Sequence, residues 1–133
     1  MKLSVASAMI EAALAEAEKL KVAVCITVVD AAAWPVAFVR MDGAPLGVID
    51  VSSKKAKTAV LFHMDSEAFA KVAHPNGEAY SLENTNGGLT SFGGGLLLKT
   101  ADGAIAGAIG VSGASTEDDI AIGRIAARVL TPA

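Results

Sequence analysis

The chain has 133 residues, a formal net charge of −3, and a composition that is 53% hydrophobic but only 5% aromatic. That length suits one globular domain spanning 1–133, with a core built from Ala, Val, Leu and Ile. Its cations form no dense Lys/Arg patch, which argues against nucleic-acid binding by clustered phosphate neutralisation and favours small molecules or other proteins as partners.

Ala6, Met9, Ile10, Ala13, Ala17 and Leu20 recur at helical spacing opposite Ser4, Ser7, Glu11 and Glu18, which predicts a first helix over roughly 4–20. Glu11, Glu16 and Glu18 break what would otherwise resemble a secretory leader. Nowhere does an apolar stretch reach the ~20 residues that a bilayer crossing needs. The expectation is a cytoplasmic chain with no membrane contact. VAVCITVVD, 22–30, is a β-branched strand, in which the lone Cys25 acts as a small hydrophobe. WPVAFVR, 34–40, follows after a short turn and makes an antiparallel hairpin with it, Pro35 standing at the strand start or on an edge.

MDGAPLGVID, 41–50, carries the Asp-Gly and Pro punctuation of a loop. A helix is predicted over roughly 52–64, with Ala56, Ala59, Val60 and His63 on one face and Lys54, Lys55 and Lys57 mostly elsewhere. A shorter helix, about 66–73, stops at His74-Pro75 because proline disfavours helix in the residue before it. After a polar loop, 89–92, 96–99 and 104–111 read as three strands, the last two joined by the Asp-Gly turn of Thr100–Gly103. A final helix is predicted over 116–130. The order α-β-β-α-α-β-β-β-α suggests an α+β layer fold with an antiparallel sheet. Alternating βα units are missing and no G-x-G-x-x-G follows the first strand, which argues against a dinucleotide fold.

Three stretches carry candidate chemistry. In GVSGASTEDDIA, Ser115 or Thr116 suits a helix N-cap, and Glu117, Asp118 and Asp119 suit its positive first turn. Gly107, Gly110 and Gly113 ahead of them remove side chains along a strand, clearing space for a ligand or for another backbone. In RMDGA, Arg40 at a strand end can grip a carboxylate bidentately with Asp42-Gly43 turning beside it, or can form a structural pair with Asp42; both readings are open. Lys55, just downstream, is a candidate for the same pocket. In SFGGGLLL, Gly93, Gly94 and Gly95 mark a bend, a bulge or a close approach. His63 and His74 are the available imidazoles, no Cys/His spacing suggests a zinc site, and no G-x-S-x-G elbow suggests a serine nucleophile.

VVDAAAWPVAFVRMDGA, SSKKAKTAVLF and GGGLLLKTADGAIAGAIGVSGASTEDD, in that order and spacing, resemble the GlcG/HbpS family of small haem-associated proteins and the C-terminal domain of PduO-type corrinoid adenosyltransferases. The resemblance implies a profilin-like α+β fold with a five-stranded antiparallel sheet covered by helices, assembly into dimers or larger homo-oligomers, and haem as a candidate cofactor. By position it points to Asp30, Arg40, Asp42, Gly43, Lys55, Thr58, Gly94, Gly95, Asp102, Gly103, Gly110, Ser112 and Gly113. Ala31-Ala32-Ala33-Trp34 stands where the family has glycines, which places the Trp34 ring near the site. Phe92 and Leu96-Leu97-Leu98 stand where it has a proline and a Val-Pro-Ile run, and both departures make the cleft more apolar.

Three functions are consistent with this reading. The first is a small-molecule-binding protein holding haem or a related carboxylate-bearing ligand in a glycine-lined cleft, with Arg40, Asp42, Gly43, Lys55, Gly94, Gly95, Ser112, Gly113, His63 and Trp34 as contacts. The second is an enzyme on a small carboxylated metabolite, with Arg40 as anchor and Asp42 or Asp118 moving a proton. The third is an accessory subunit without a ligand of its own.

Overall fold

In the computed structural model, which describes residues 1–131, nearly every expected element forms. They are α1 (Leu3–Leu20), β1 (Cys25–Asp30), β2 (Pro35–Arg40), α2 (Val48–Phe62), α3 (Ser66–Ala73), a single 3-10 turn (Leu82–Asn84), β3 (Gly95–Lys99), β4 (Ile105–Ser112) and α4 (Thr116–Ala127). The strands form one antiparallel sheet in the order β2-β1-β4-β3. The α+β class stands, but the described sheet has four strands rather than five.

The missing strand is 89–92. Its backbone is committed elsewhere: the Leu89 amide donates to Glu83 O and the Thr90 amide to Thr58 Oγ1 on α2, at 2.9 Å each. The outer edge of β3, the strand that follows it in the chain, is already closed. Ser66 Oγ accepts from the Gly95 amide and Asp65 Oδ1 from the Leu97 amide, both at 2.8 Å. Unpaired edge amides invite further pairing, and here side chains from the start of α3 occupy them.

The two faces of the sheet are packed differently. Toward α1 and α4 point bulky side chains, with Ile26, Val28, Leu98, Ile109 and Val111 meeting Met9 and Ile122 in the main core. Each contributes on the order of 1.5–3 kcal/mol by burial. Toward α2 the sheet presents Val29 and Ala108, and the helix presents Ala56, Ala59 and Val60. Small residues on both sides let α2 lie against β4 backbone to backbone. Gly110 is what permits it, because a Cβ there would strike the Ser52 carbonyl oxygen and come within 2.8 Å of the Ala56 nitrogen.

Helix α2 starts four residues before the expected Ser52, at Val48, with Gly47 as its N-cap in αR conformation. Polar groups buried beneath it are paired: Thr27 Oγ1 with Ser52 Oγ at 2.8 Å, Ser52 Oγ with Ile49 O at 3.0 Å, and Thr58 Oγ1 with Lys54 O at 2.7 Å. Beyond α2, Phe69, Ala73 and Leu89 form a satellite core in which the Phe62 and Phe69 rings meet at 5.0 Å.

Gly110→Ala is therefore expected to destabilise by about 1–3 kcal/mol or more through overpacking. Gly47→Ala, where an added Cβ meets nothing within 4 Å, is expected to be near neutral or slightly stabilising. Urea unfolding of the two variants checks this.

Candidate functional site

The expected site residues do not converge. Lys55 is fully buried, as is its partner Asp119, near the start of α4. Lys55 Nζ lies 3.1 Å from Asp119 Oδ2, donates to Val111 O at 2.8 Å, and sits 5.0 Å from the Phe92 ring centroid. Burial pulls the Lys55 pKa below its ordinary value, and the Asp119 carboxylate opposes that shift. Asp119 also accepts from the Ala114 amide at 3.0 Å. Lys55 thus reaches from α2 past the start of β3 to α4, away from any shared pocket with Arg40.

The triple glycine makes room for this crossing. A Cβ on Gly94, whose φ is +127°, would come within 2.6 Å of Lys55 Nζ; one on Gly95 would strike the Lys55 carbonyl, and one on Gly93 would approach Ile120 Cδ1 to 2.5 Å. A Cβ on Gly113 (φ +138°) would fall 2.6 Å from Ala23 O. The cleft expected over Gly94, Gly95 and Gly113 is filled by the chain itself. These glycines admit neighbouring backbone and the lysine stem. Ser112 is buried at the end of β4, opposite Cys25 in the register.

The remaining residues are spread over the surface. His63 is the C-cap of α2, exposed, with φ 56°, so it turns out of the buried face on which the helical pattern placed it. Asp42 and Gly43 are exposed, and Arg40 forms no ion pair with Asp42. The amide of Asp118 is capped by Ser115 Oγ at 3.1 Å, the N-cap arrangement expected for that stretch.

What the structure does bring together is a groove beside the hairpin. The register sets Val29 opposite Pro35, Thr27 opposite Phe38, and Cys25 opposite Arg40. Directly opposed residues share a face, here the face on which α2 lies. Helix α2 covers β4 more closely than β2, so a groove of about 260 Å³ opens between α2 and the hairpin, lined by Thr27, Val29, Ala33, Pro35, Asp50, Ser53, Lys54 and Lys57. Phe38 and Arg40 lie on the same face of β2, beyond the residues that line the groove. The Trp34 ring, 71% exposed, stands at the hairpin turn. Lys54 Nζ pairs with Asp50 Oδ2 at 2.8 Å, and Lys57 reaches the Asn86 carbonyl. Arg40 is exposed and has no ion-pair partner among the described residues. Thr27 and Ser53 hydroxyls, 3.2 Å apart, add polar groups at the floor.

Comparison with known proteins fits this architecture. A family model described as "Haem degrading protein HbpS-like" matches residues 1–128. The chain belongs to the HbpS-like family. The corrinoid adenosyltransferase PduO of Salmonella typhimurium is 35% identical over 116 residues, covering 86% of this chain and 34% of that protein, so the chain spans about a third of its length. The crystal structure of Klebsiella pneumoniae protein ORFY superposes with a TM-score of 0.94 at 29% identity, covering 100% of this chain and 92% of that one. A structure described as the PduOC:heme complex superposes with a TM-score of 0.92 at 30% identity, covering 98% of this chain and 95% of that one.

Sequence reasoning missed Asp119 as the partner of Lys55, having placed all three acids in the helix cap. The signal was there: Asp119 falls one position beyond the capped Asp118, on the side of α4 that carries buried Ile122 and Ala126. It also missed the groove lysines Lys54 and Lys57, placed only as lying mostly off the apolar face of their helix.

Removing one member of a buried ion pair strands the other. Lys55→Met is expected to cost about 3–5 kcal/mol, and Lys55→Met with Asp119→Asn to recover a large part of it, as read by urea unfolding of both variants. Burial also raises the Cys25 thiol pKa, partly opposed by Arg40. Iodoacetamide should therefore leave Cys25 unmodified in folded protein and alkylate it in denaturant, as measured by intact mass.

Proposed function

We propose that the protein binds haem against the face formed by β2, β1 and the flank of α2. The observation that carries this reading is the membership of the chain in the HbpS-like family, together with its superposition on the PduOC:heme complex. The residues at the groove suit the periphery of a porphyrin. Trp34, Pro35 and Phe38 offer apolar surface for the ring, and Arg40, Lys54 and Lys57 offer cations for its carboxylates. Arg40 is the best of these cations, having no ion pair to give up and a planar fork matched to a carboxylate.

The groove lining contains no imidazole, thiol or thioether, so the reading rests on ring and carboxylate contacts and assigns no iron ligand. At about 260 Å³ the groove is smaller than the ~300–1,000 Å³ typical of sites that enclose a ligand of that size. One chain would hold one edge of the macrocycle, and a second copy laid over Trp34 and Phe38 would cover the rest, consistent with the homo-oligomer expected from the resemblance. The bound group would supply the redox and ligand-binding chemistry of its iron. The enzyme reading, with Arg40 beside Asp42 or Asp118, has less support, since Arg40 has no acidic partner within ion-pair reach among the described residues.

Haem titration of the purified protein should give a saturable Soret change at micromolar haem. Arg40→Gln should weaken it about tenfold or more, and Trp34→Ala should weaken it as well. Absence of saturation, or an unaltered affinity in Arg40→Gln, would overturn the assignment.

A further inference from the structure

A second groove, of about 390 Å³, runs between the outer edge of β3 and the last turns of α4. Its floor is Leu96, Leu97, Leu98 and Ala127, and its rim carries Lys99, Arg124 and Arg128. Arg124 and Arg128 stand four apart near the end of α4, the spacing of neighbours on one helix face, and both line the groove. Lys99 and Arg128 have no ion-pair partner among the described residues, and Arg124 pairs with Glu67 at 3.8 Å with both side chains largely exposed. A helix C-terminus attracts cations, but its partial charge is only about half an elementary charge. Three cations around one apolar floor exceed that demand, in a chain whose net charge is −3.

The β3 edge itself is not offered for strand addition. The amides of Gly95 and Leu97 are taken by Ser66 and Asp65, and the Lys99 carbonyl accepts from Thr131 Oγ1 at 2.5 Å. An occupant must therefore use the side chains, and its chemistry follows from them: an apolar body for the leucine floor and an anionic head for the arginines. We propose that this groove is a second binding site, separate from the hairpin face, for a small organic carboxylate with a hydrocarbon body. Arg128 and Arg124 hold the carboxylate through charge-assisted hydrogen bonds, Lys99 adds to the positive field, and the hydrocarbon lies along Leu96–Leu98. The volume falls within the range of small-molecule sites.

Titration with decanoate, followed by amide chemical shifts, tests this, with decyltrimethylammonium as a probe of equal chain length and opposite charge. The expected result is saturable shifts clustered at 96–99 and 124–131 for decanoate alone, an affinity about tenfold or more weaker in Arg128→Gln, and unchanged haem binding by that variant. No saturation below the micellar range, equal response to the cationic probe, or undiminished decanoate affinity in Arg128→Gln would overturn it. So would shifts centred on the β1–β2 hairpin. If Arg128→Gln instead loses haem binding while Arg40→Gln keeps it, the groove is the haem site and the proposal of a second site fails.

Discussion

A lysine carried from one helical layer to the other holds this fold in register. Burying an ammonium costs several kcal/mol, and the cost is offset only if its donors are met. Lys55 Nζ has a carbonyl at 2.8 Å, a carboxylate at 3.1 Å and an aromatic face at 5.0 Å. Those partners belong to β4, to α4 and to the segment before β3, so the pair specifies where α2 sits relative to three other parts of the chain. A buried pair of this kind adds little net stability over an apolar substitute, and its better-supported role is to reject alternative packings.

The same interaction accounts for the glycines. Gly94 and Gly95 leave room for the lysine and its helix, Gly110 lets α2 descend onto β4, and Gly93 yields to Ile120 on α4. Close packing on one face of the sheet has a consequence at its edge. Since α2 is drawn over β4 and β3, it leaves the hairpin strand β2 less covered, and the groove lined by Asp50, Lys54 and Lys57 opens there.

Much of the architecture was legible in the sequence because its signals are local. The 3.6-residue pattern of α1 and the β-branched run of β1 each state their own structure, as does the Asp-Gly turn between β3 and β4. Segment 89–92 was not, since its apolar residues resemble a strand while the side chains that close the β3 edge, Ser66 and Asp65, lie some thirty residues upstream. The site was less legible. A glycine run shows that something approaches closely, but not whether it is a ligand or the chain's own helix, and here it is the helix. Lys55 and Lys57 look alike in sequence; only the packing of α2 buries one and leaves the other at the groove.

Amide hydrogen exchange at Val111 and Gly95 tests the central role of the Lys55 crossing most directly. The Val111 amide donates to Gly94 O at 2.9 Å and the Gly95 amide to Ser66 Oγ, both beside the lysine. If the crossing locks the two helical layers together, both amides exchange only through global unfolding, with the same urea dependence as the whole protein. Exchange through small fluctuations insensitive to urea, while the β1–β4 amides stay protected, would contradict it.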